Sequence, residues 1–227
     1  MAESEKRTLG EATYERLLSC ICDLTYPPGQ KLSEAQVAKA FGVSRAPVRD
    51  AFARLERQGL VRIVPQVGTI VSRIDRKQVS DVCQLRLVLE CFAVRRAAEV
   101  IDETQKRTLC ARFALLTQVK NPGAYREAVA STDLFLHDLI YQLCGNEELR
   151  QTVLRYEPVI ERIRNVNAVW SNRRRASVRE MTQIGQALLR SDPDAAEAAM
   201  RTHISNIQAT IEQLAEEKED TRFHDEV

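Results

Sequence analysis

Residues 33–72 constrain the fold of this chain more than any other stretch. They read SEAQVAKAFGVSRAPVRDAFARLERQGLVRIVPQVGTIVS. Ser33 and Ser44 each precede apolar residues at helical spacing, and serine is a preferred N-cap because its hydroxyl can accept a hydrogen bond from a backbone N–H of the first turn. Gly42 ends the first helix, because glycine readily adopts the positive φ that a helix C-terminus requires. The stretch therefore predicts two helices joined by a tight turn.

The second helix of this pair separates its residues into an apolar face and a basic face. Its apolar positions recur at i, i+3, i+4 and i+7, the spacing of a buried stripe: Val48, Ala51, Phe52 and Leu55. Arg45 and Arg49 lie one turn apart on another face, in the N-terminal half of the helix. A recognition helix presents its base-reading side chains to the major groove from this position. The alternative is a small α+β packing module whose arginines are only solvated.

Two β-prone segments follow this pair of helices. Residues 60–64 and 69–71 are rich in Val and Ile, and the residues between them, Pro65-Gln66-Val67-Gly68, contain the turn formers Pro and Gly. An earlier helix is predicted over residues 12–23, because Pro27-Pro28-Gly29 stops it. Together these segments predict an N-terminal winged helix-turn-helix with three helices and a two-stranded wing.

The charge of the chain is distributed unevenly. The whole chain carries a net charge of +1, but residues 1–77 hold 13 Lys and Arg against 9 Asp and Glu, whereas the rest hold 20 against 23. A basic N-terminal part on a mildly acidic body favours binding of a polyanion by that part alone. The six cysteines form no C-x-x-C pair, and the sequence has neither a secretory signal nor an apolar run long enough to span a membrane. We therefore expect reduced thiols and a cytoplasmic protein that makes no membrane contact.

The remaining two thirds of the chain has helical patterns throughout. Asp102 with Gln105 forms a predicted capping box, and Asp192 followed by Pro193 marks another helix start. The fold class predicted is mainly α, with an all-α six-helix bundle after the winged helix-turn-helix. The patterns divide the chain into a flexible arm, a DNA-binding domain, a linker, a helical domain and an acidic tail: residues 1–10, 11–72, 73–77, 78–217 and 218–227.

The N-terminal part resembles the GntR family of bacterial transcription regulators across LSEAQVAKAFGVSRAPVRDAFARLERQGLV. The resemblance implies that Ser44, Arg45 and Arg49 contact DNA. It also places Gly68 where the wing tip approaches the minor groove, and we include Gln66 of the same turn among the DNA-binding residues.

Three positions depart from the family pattern. Ala46 stands where Thr is common, Val67 where a wing Arg is common, and Leu24 where many relatives have Gly. The first two departures bear on operator choice and affinity.

The C-terminal part resembles the FCD domain of the FadR subfamily. Four segments carry this resemblance: Arg86-x-x-Leu89-Glu90, Asp133-x-x-x-His137, Gly145-Asn146, and ALLRSDPDAAEAAMRTH over residues 187–203. It implies a helical domain that binds an effector and forms a homodimer.

Asp133 and His137 lie four residues apart and so share a helix face, and His203 comes from the last helix. Carboxylate and imidazole ligands suit a divalent transition metal such as Zn, Ni or Mn, although such a pair is also common as a solvated Asp–His contact. The resemblance implies a metal held by one Asp and three His, and it places the third His at Met181. A thioether is a poor ligand for these ions. Either three protein ligands hold the metal, with water or effector completing its shell, or the metal is lost.

The effector-binding residues predicted are Arg86, Asp133, His137, Met181 and His203. Arg86 is predicted to anchor a carboxylate, because a guanidinium pairs with it through two hydrogen bonds. The alternative for Arg86 is a surface ion pair with Glu90, one turn along the helix. Met181 and Gly185 share a face, and we expect them to leave more apolar room than a histidine would.

These observations predict a ligand-responsive, homodimeric repressor. Each winged helix is expected to bind one half-site of a palindromic operator in double-stranded DNA, and a small carboxylate effector in the bundle is expected to control it. One alternative is an architectural DNA-binding protein without ligand control. The other is a helical metal-dependent enzyme that uses Asp133, His137 and His203. No paired general acid and base accompanies those residues, so no catalytic residue is predicted.

Overall fold

The computed structural model describes residues 8–73, 75–170 and 173–224, with side chains described except at 166–170, 174 and 214–224. The chain divides into two compact units. One comprises residues 1–75 together with 157–166, and the other comprises residues 76–156 together with 167–227. Among the described residues, no helix is both long and apolar enough to cross a membrane.

The N-terminal unit is a winged helix-turn-helix. Its elements are α1 (Leu9–Cys22), β1 (Lys31–Leu32), α2 (Glu34–Phe41), α3 (Arg45–Arg57), β2 (Val61–Val64) and β3 (Gly68–Val71). The antiparallel sheet has the order β1-β3-β2, with Val64 opposite Gly68 at the wing turn. The two predicted wing strands are therefore present, and β1 adds a third that the sequence analysis missed. Two residues are too few to show a strand period.

Short-range hydrogen bonds explain where these helices begin and end. The Ser33 hydroxyl accepts a hydrogen bond of 3.1 Å from the Gln36 amide, and Gly42 has a φ of 71° at the C-cap of α2. Thr8 caps α1 in the same way, so α1 begins at Leu9 inside the predicted arm, whose residues 1–7 lie outside the described part of the chain. Leu24 has a φ of 67°, a left-handed conformation that is costly for leucine and explains why glycine is common there.

The fold class predicted for the rest of the chain is confirmed. Over the described residues from 75 to 224, six helices follow: α4 (Arg76–Val100), α5 (Glu103–Gln118), α6 (Pro122–Cys144), α7 (Glu147–Trp170), α8 (Arg174–Leu189) and α9 (Pro193–His224). In the C-terminal unit α4 packs along α9 and also contacts α6, while α8 packs on α9. The predicted capping box is present, with Asp102 and Gln105 exchanging hydrogen bonds of 2.8 and 2.9 Å.

Some element boundaries differ from the predicted ones. Asn121 does not only break the chain: its side chain accepts hydrogen bonds from the amides of Gly123 and Ala124, so α6 begins at Pro122. The predicted linker is shortened because α4 begins at Arg76, and Ile74 lies outside the described residues. The predicted acidic tail is helical as far as His224, and its residues 225–227 are also outside the described part.

The middle of α7 belongs to the N-terminal unit, which the sequence analysis did not predict. The Asn165 side chain donates a 2.8 Å hydrogen bond to the Cys22 carbonyl, which α1 leaves free at its C-terminus. The buried Arg162 donates to the Ser72 carbonyl just beyond β3. Burial lowers the pKa of Arg162 to about 10, so this guanidinium stays charged at neutral pH. Residues 157–166 therefore contribute to the packing of the unit that carries the wing.

Candidate functional site

The first candidate surface is the exposed face of α3. The predicted apolar stripe is buried, so Arg45 and Arg49 on the other face are exposed. Ser44 occupies the N-cap position, but its hydroxyl makes no capping hydrogen bond, contrary to the prediction that it caps the helix. The hydroxyl and the first amides of α3 thus remain accessible to an incoming anion.

Arg49 has a partner that the sequence analysis missed. Its Nε and Nη2 atoms each donate a 2.9 Å hydrogen bond to the two carboxylate oxygens of Glu34, the first residue of α2. This hydrogen bonding lowers the pKa of Glu34. The side chains are 67% and 32% exposed, and exposed ion pairs contribute little to stability. Glu34 therefore fixes the direction of the guanidinium while leaving Arg49 able to exchange it for a DNA group.

The wing tip is a tight turn that depends on two unusual backbone conformations. Gln66 has a φ of 63° and Gly68 a φ of 118°. A Cβ at Gly68 would lie 3.2 Å from the carbonyl oxygen of Leu32 in β1, so the close approach of β1 also requires glycine. Gln66 and Val67 are exposed beside it. The tip therefore presents an amide and an apolar side chain, and no charge.

The second candidate site lies inside the C-terminal unit. Asp133 and His137 on α6 and His203 on α9 each offer a ligand atom, and these three atoms lie within 4.8 Å of one another. Both histidines are buried, and their ring centroids are 5.9 Å apart. The Nε2 atom of His137 is 3.7 Å from an Asp133 carboxylate oxygen. The structure thus brings together the three residues predicted as metal ligands.

Each of these histidines has a buried carboxylate behind it. Glu90 on α4 places Oε2 3.1 Å from Nδ1 of His137, and Glu180 on α8 places Oε2 3.0 Å from Nδ1 of His203. Among the described residues, the buried Nε2 atoms of both histidines make no hydrogen bond, and Nδ1 of His137 has only the 3.1 Å ion-pair contact with Glu90, without a well-directed hydrogen bond. An ionised carboxylate only accepts hydrogen bonds, so the contact with Glu180 favours the His203 tautomer in which Nδ1 carries the proton and Nε2 keeps its lone pair.

Electrostatics favour ionised carboxylates behind the two histidines and a neutral imidazole at His203. Burial alone would raise the pKa of Glu90, but the Arg86 guanidinium and His137 outweigh it and hold that pKa well below its usual range. Burial likewise opposes ionisation of Glu180, and hydrogen bonds from His203 and Asn206 lower its pKa overall. Burial lowers the pKa of His203. The Nε2 atom of a neutral His203 is therefore available as a ligand for a cation.

Arg86 is buried, and so the predicted alternative of a surface ion pair is wrong in one respect. It does pair with Glu90, with Nε–Oε1 and Nη2–Oε2 distances of 2.6 and 3.3 Å, but both side chains are buried, at 2% and 0% exposure. The role of Arg86 as an anchor for a carboxylate effector stays a prediction.

Met181 is buried on α8 at the position where the resemblance places a third histidine. The extra apolar room expected beside it at Gly185 is not there. A Cβ at Gly185 would lie 2.5 Å from a ring carbon of Phe113, so this ring already fills the space. The residue of α8 that does contact the site is Glu180. The sequence held no local signal for it, because its partner His203 lies on another helix.

The ligand chemistry fits a divalent transition metal. Two neutral imidazole nitrogens and one carboxylate oxygen are a ligand set that suits Zn, Ni and Mn. The buried Nε2 atom of His203, with no hydrogen bond in the described part of the chain, is the observation that favours this reading, because buried polar atoms normally have a partner.

Comparisons with known proteins agree with this architecture. Residues 9–71 match the family described as bacterial regulatory proteins, gntR family, and residues 81–206 match the FCD domain. The HTH-type transcriptional repressor RspR of Escherichia coli (strain K12) is 30% identical over 217 residues, which cover 93% of this chain and 92% of RspR. The HTH-type transcriptional regulator YdhC of Bacillus subtilis (strain 168) is 24% identical over 204 residues, covering 90% of this chain and 91% of YdhC.

The crystal structure of a GntR transcriptional regulator from Rhodococcus sp. RHA1 has the same fold. Its TM-score is 0.73 at 21% identity, and the match covers 89% of this chain and 96% of that one. The predicted resemblance is therefore confirmed, and the family consists of regulators rather than enzymes. The chain belongs to the GntR family of bacterial transcription regulators, with an FCD domain following its DNA-binding domain.

Proposed function

We propose that this chain is a repressor of the FadR subfamily that binds a palindromic operator as a homodimer and responds to a small carboxylate effector. The observation that carries the DNA-binding part is the exposed basic face of α3 within a helix-turn-helix whose apolar stripe is fully buried. The relative RspR is named a repressor, which supports that sign of control. Such a regulator works in the cytoplasm, where the chromosome is.

Each winged helix takes one half-site of the operator. Helix α3 enters the major groove, and Arg45 and Arg49 read base edges while Ser44 contacts the backbone. Gln66 and Gly68 bring the wing tip towards the minor groove. Because Val67 is apolar, the wing adds little charge, and recognition depends mainly on the two arginines. Phosphate contacts make the affinity fall steeply as salt increases.

Asp133, His137 and His203 hold the divalent metal ion. When bound, the ion supplies a positive charge and open coordination positions, because Met181 contributes no imidazole. The charged side chains beside the two histidines are Glu90, Asp133, Glu180, Arg86 and Arg173. Three carboxylates and two guanidiniums leave a net charge of −1. A divalent ion changes the net charge to +1, and this excess favours a monoanionic carboxylate effector over a neutral one.

An apolar patch on α4 supports the homodimer. Val88 and Phe92 are 71% and 50% exposed and line the same groove, so they form an apolar patch instead of two isolated exposed side chains. They line a surface groove together with Arg95 and with Glu197 of α9, which are 3.5 Å apart. A patch that carries apolar, basic and acidic groups together can pair with its own copy across a two-fold axis.

Continuity of α7 supports effector control of DNA binding. Residues 157–166 of this helix belong to the N-terminal unit, where Arg162 and Asn165 bond to backbone carbonyls, while the rest of α7 belongs to the other unit. A change in α7 caused by an effector would therefore alter contacts that hold α1 and the end of β3. Effector control also requires that the effector bind one state of the protein better than the other.

Selection of binding sites from random double-stranded DNA tests the proposal. Full-length protein should enrich a palindrome whose half-sites are one helical turn or a multiple apart. Size-exclusion chromatography with light scattering should give a dimer mass for the free protein. Enrichment of no motif would contradict the proposal and favour an architectural DNA-binding protein. Thermal shift assays with Zn²⁺ and carboxylates provide a second check, because an architectural bundle has no state that a ligand stabilises.

A further inference from the structure

We propose that Glu90 and Glu180 are positioning residues for the metal site: each holds Nδ1–H of one histidine, so that both Nε2 atoms present their lone pairs to the space beside Asp133. The inference rests on the proposed metal-binding function. It also gives α8 a different role from the one that the family resemblance implies. In this chain α8 supplies no ligand at Met181, and instead Glu180 acts through His203.

Glu180 is fixed by three separate contacts. Its Oε1 atom accepts a 2.8 Å hydrogen bond from the Asn206 amide and also pairs with the Arg173 guanidinium, while Oε2 faces His203 Nδ1 at 3.0 Å. The two donors on Oε1 therefore leave Oε2 as the acceptor for the imidazole. Because both donors require an oxygen with lone pairs, they also favour the ionised carboxylate.

Glu90 repeats this arrangement on the other histidine. Its Oε1 atom accepts a 2.6 Å hydrogen bond from Arg86 Nε, and its Oε2 atom lies 3.1 Å from His137 Nδ1. Arg86 Nη2 also donates a longer hydrogen bond of 3.3 Å to the same Oε2 atom, so in this set the arginine contacts both oxygens while the imidazole faces Oε2. The two sets come from different helix pairs, α4 with α6 and α8 with α9. Two Arg–Glu–His sets meet beside one carboxylate, and in the described part of the chain neither Nε2 atom makes a hydrogen bond; this is the observation that carries the proposal.

The arrangement has a chemical purpose in a metal site and costs stability without one. Buried ion pairs contribute little net stability, because desolvation of the charges offsets their attraction. A carboxylate behind a ligating imidazole, in contrast, fixes the tautomer and ring orientation and raises the basicity of the nitrogen that binds the metal. Loss of such a partner typically weakens metal affinity by about 10–100-fold.

Glutamine substitutions test the proposal sharply, because glutamine has nearly the same shape as glutamate but replaces one acceptor oxygen with a hydrogen-bond donor. In Glu180→Gln, Asn206 and Arg173 still require an acceptor, so the amide oxygen stays with them and the amide NH₂ faces His203 Nδ1. Nδ1 must then accept a hydrogen bond, and the proton moves to Nε2, the atom needed for metal. Glu90→Gln should also invert His137, because the shorter Arg86 contact, 2.6 Å from Nε to Oε1, holds the amide oxygen and leaves the NH₂ group beside His137 Nδ1. The control is Asp138→Asn, which changes an exposed carboxylate of α6 that bonds to Gln142.

Two measurements on the full-length protein report the result. Nitrogen-15 NMR of the metal-free protein assigns the tautomer of each histidine, and competition with a chelating dye gives the Zn²⁺ dissociation constant. We expect Nδ1–H at both histidines in the wild type, inversion to Nε2–H in the matching variant, and Zn²⁺ affinity about 10–100-fold weaker in each glutamine variant. Asp138→Asn should change neither quantity.

Several outcomes would overturn the proposal. One is an unchanged tautomer with unchanged Zn²⁺ affinity in both glutamine variants. Another is a large loss of Zn²⁺ affinity in Glu180→Gln without inversion of His203, which would make Glu180 itself a ligand. If the wild type binds no Zn²⁺, the proposed metal-binding function is wrong. Nε2–H tautomers in the NMR spectrum of the wild type would overturn the positioning role independently of that result.

A milder variant guards against loss of folding in Glu180→Gln. Asn206→Ala keeps the carboxylate and removes one of its donors, and it should weaken Zn²⁺ binding several-fold while His203 stays Nδ1–H. Unchanged Zn²⁺ affinity in a folded Asn206→Ala protein would contradict the idea that the fixed orientation of Glu180 matters.

Discussion

Two Arg–Glu pairs of similar geometry stand at the two candidate sites, and they differ in solvent exposure. Arg49 binds Glu34 at 2.9 Å on the surface of the DNA-binding domain, and Arg86 binds Glu90 at 2.6 Å inside the C-terminal unit. Water screens the exposed pair, so its members can separate for another partner. Separation of the buried pair would leave a charge without solvent, which is very costly. An Arg–Glu ion pair is therefore a contact that can be exchanged at the exposed site and a fixed part of the structure at the buried site.

Removal of Arg86 should give the largest effect. Arg86→Met leaves the buried Glu90 carboxylate without its cation, and we expect a loss of about 3–5 kcal/mol in the free energy of unfolding measured with urea. The double variant Arg86→Met/Glu90→Leu removes both charges and should recover most of this loss. Arg49→Met is the matched control at the exposed pair and should unfold almost as the wild type does. Equal destabilisation by the two Met variants would show that burial does not distinguish the two ion pairs.

The next largest effect concerns metal affinity. His137→Ala removes one of three proposed protein ligands, so Zn²⁺ affinity should fall by at least about 100-fold in a chelator competition assay. DNA affinity of the metal-free protein should stay near the wild-type value, because His137 is buried in the C-terminal unit. His224→Ala, which changes a histidine outside the proposed ligand set, serves as the control. Retention of wild-type Zn²⁺ affinity in His137→Ala would remove this residue from the ligand set.

Substitution of the exposed arginines should affect DNA recognition without affecting the fold. Arg45→Ala and Arg49→Ala should each weaken binding to the selected operator by about 10–100-fold and reduce discrimination against other sequences. Circular dichroism and mass should be unchanged. Arg57→Ala, at the far end of α3, is the control for loss of a positive charge. Unchanged operator footprints in both variants would contradict the assignment of α3 as the recognition helix.

Substitution of Glu34 should give the smallest change in DNA binding, and the direction of that change is the most informative. Glu34→Gln frees Arg49 from its ion pair and removes a negative charge near DNA. We expect affinity for random DNA to rise slightly, and the preference for operator over random DNA to fall a few-fold, because the guanidinium is less well directed. Competition assays at two salt concentrations separate the change in affinity for random DNA from the change in operator preference. A gain in operator preference would mean that Glu34 hinders Arg49 instead of positioning it.

The DNA-binding domain could be predicted almost residue by residue because its signals are local. Ser33 caps a helix through an amide three residues away, Gly42 ends it, and the stripe from Val48 to Leu55 repeats within one helix. The strand β1 was missed, since it exists only by pairing with β3. The Arg49–Glu34 contact was missed for a similar reason, because it joins two helices.

The buried site could be predicted only in part. The spacing of Asp133 and His137 predicted that they share a helix face, and the family resemblance predicted His203 as a further ligand. No local pattern in the sequence predicted Glu180. Glu180 contacts His203 and Asn206, which lie on another helix. Contacts between residues so far apart in the chain leave no periodic pattern in the sequence. The same holds for Gly185, where the space predicted from two residues of α8 is filled by Phe113 of α5. Residues that act through a neighbour on another helix become visible only once the fold is known.

Operator affinity with and without ligand shows whether the buried site controls the exposed one. Fluorescence anisotropy of labelled operator should be measured with metal-free protein, with Zn²⁺, and with Zn²⁺ plus carboxylates that stabilise the protein in thermal shift assays. We expect a change in operator affinity of about 5–150-fold in the wild type and none in His137→Ala. Wild-type affinity that stays constant under all three conditions, while the ligands still stabilise the protein, would contradict this expectation.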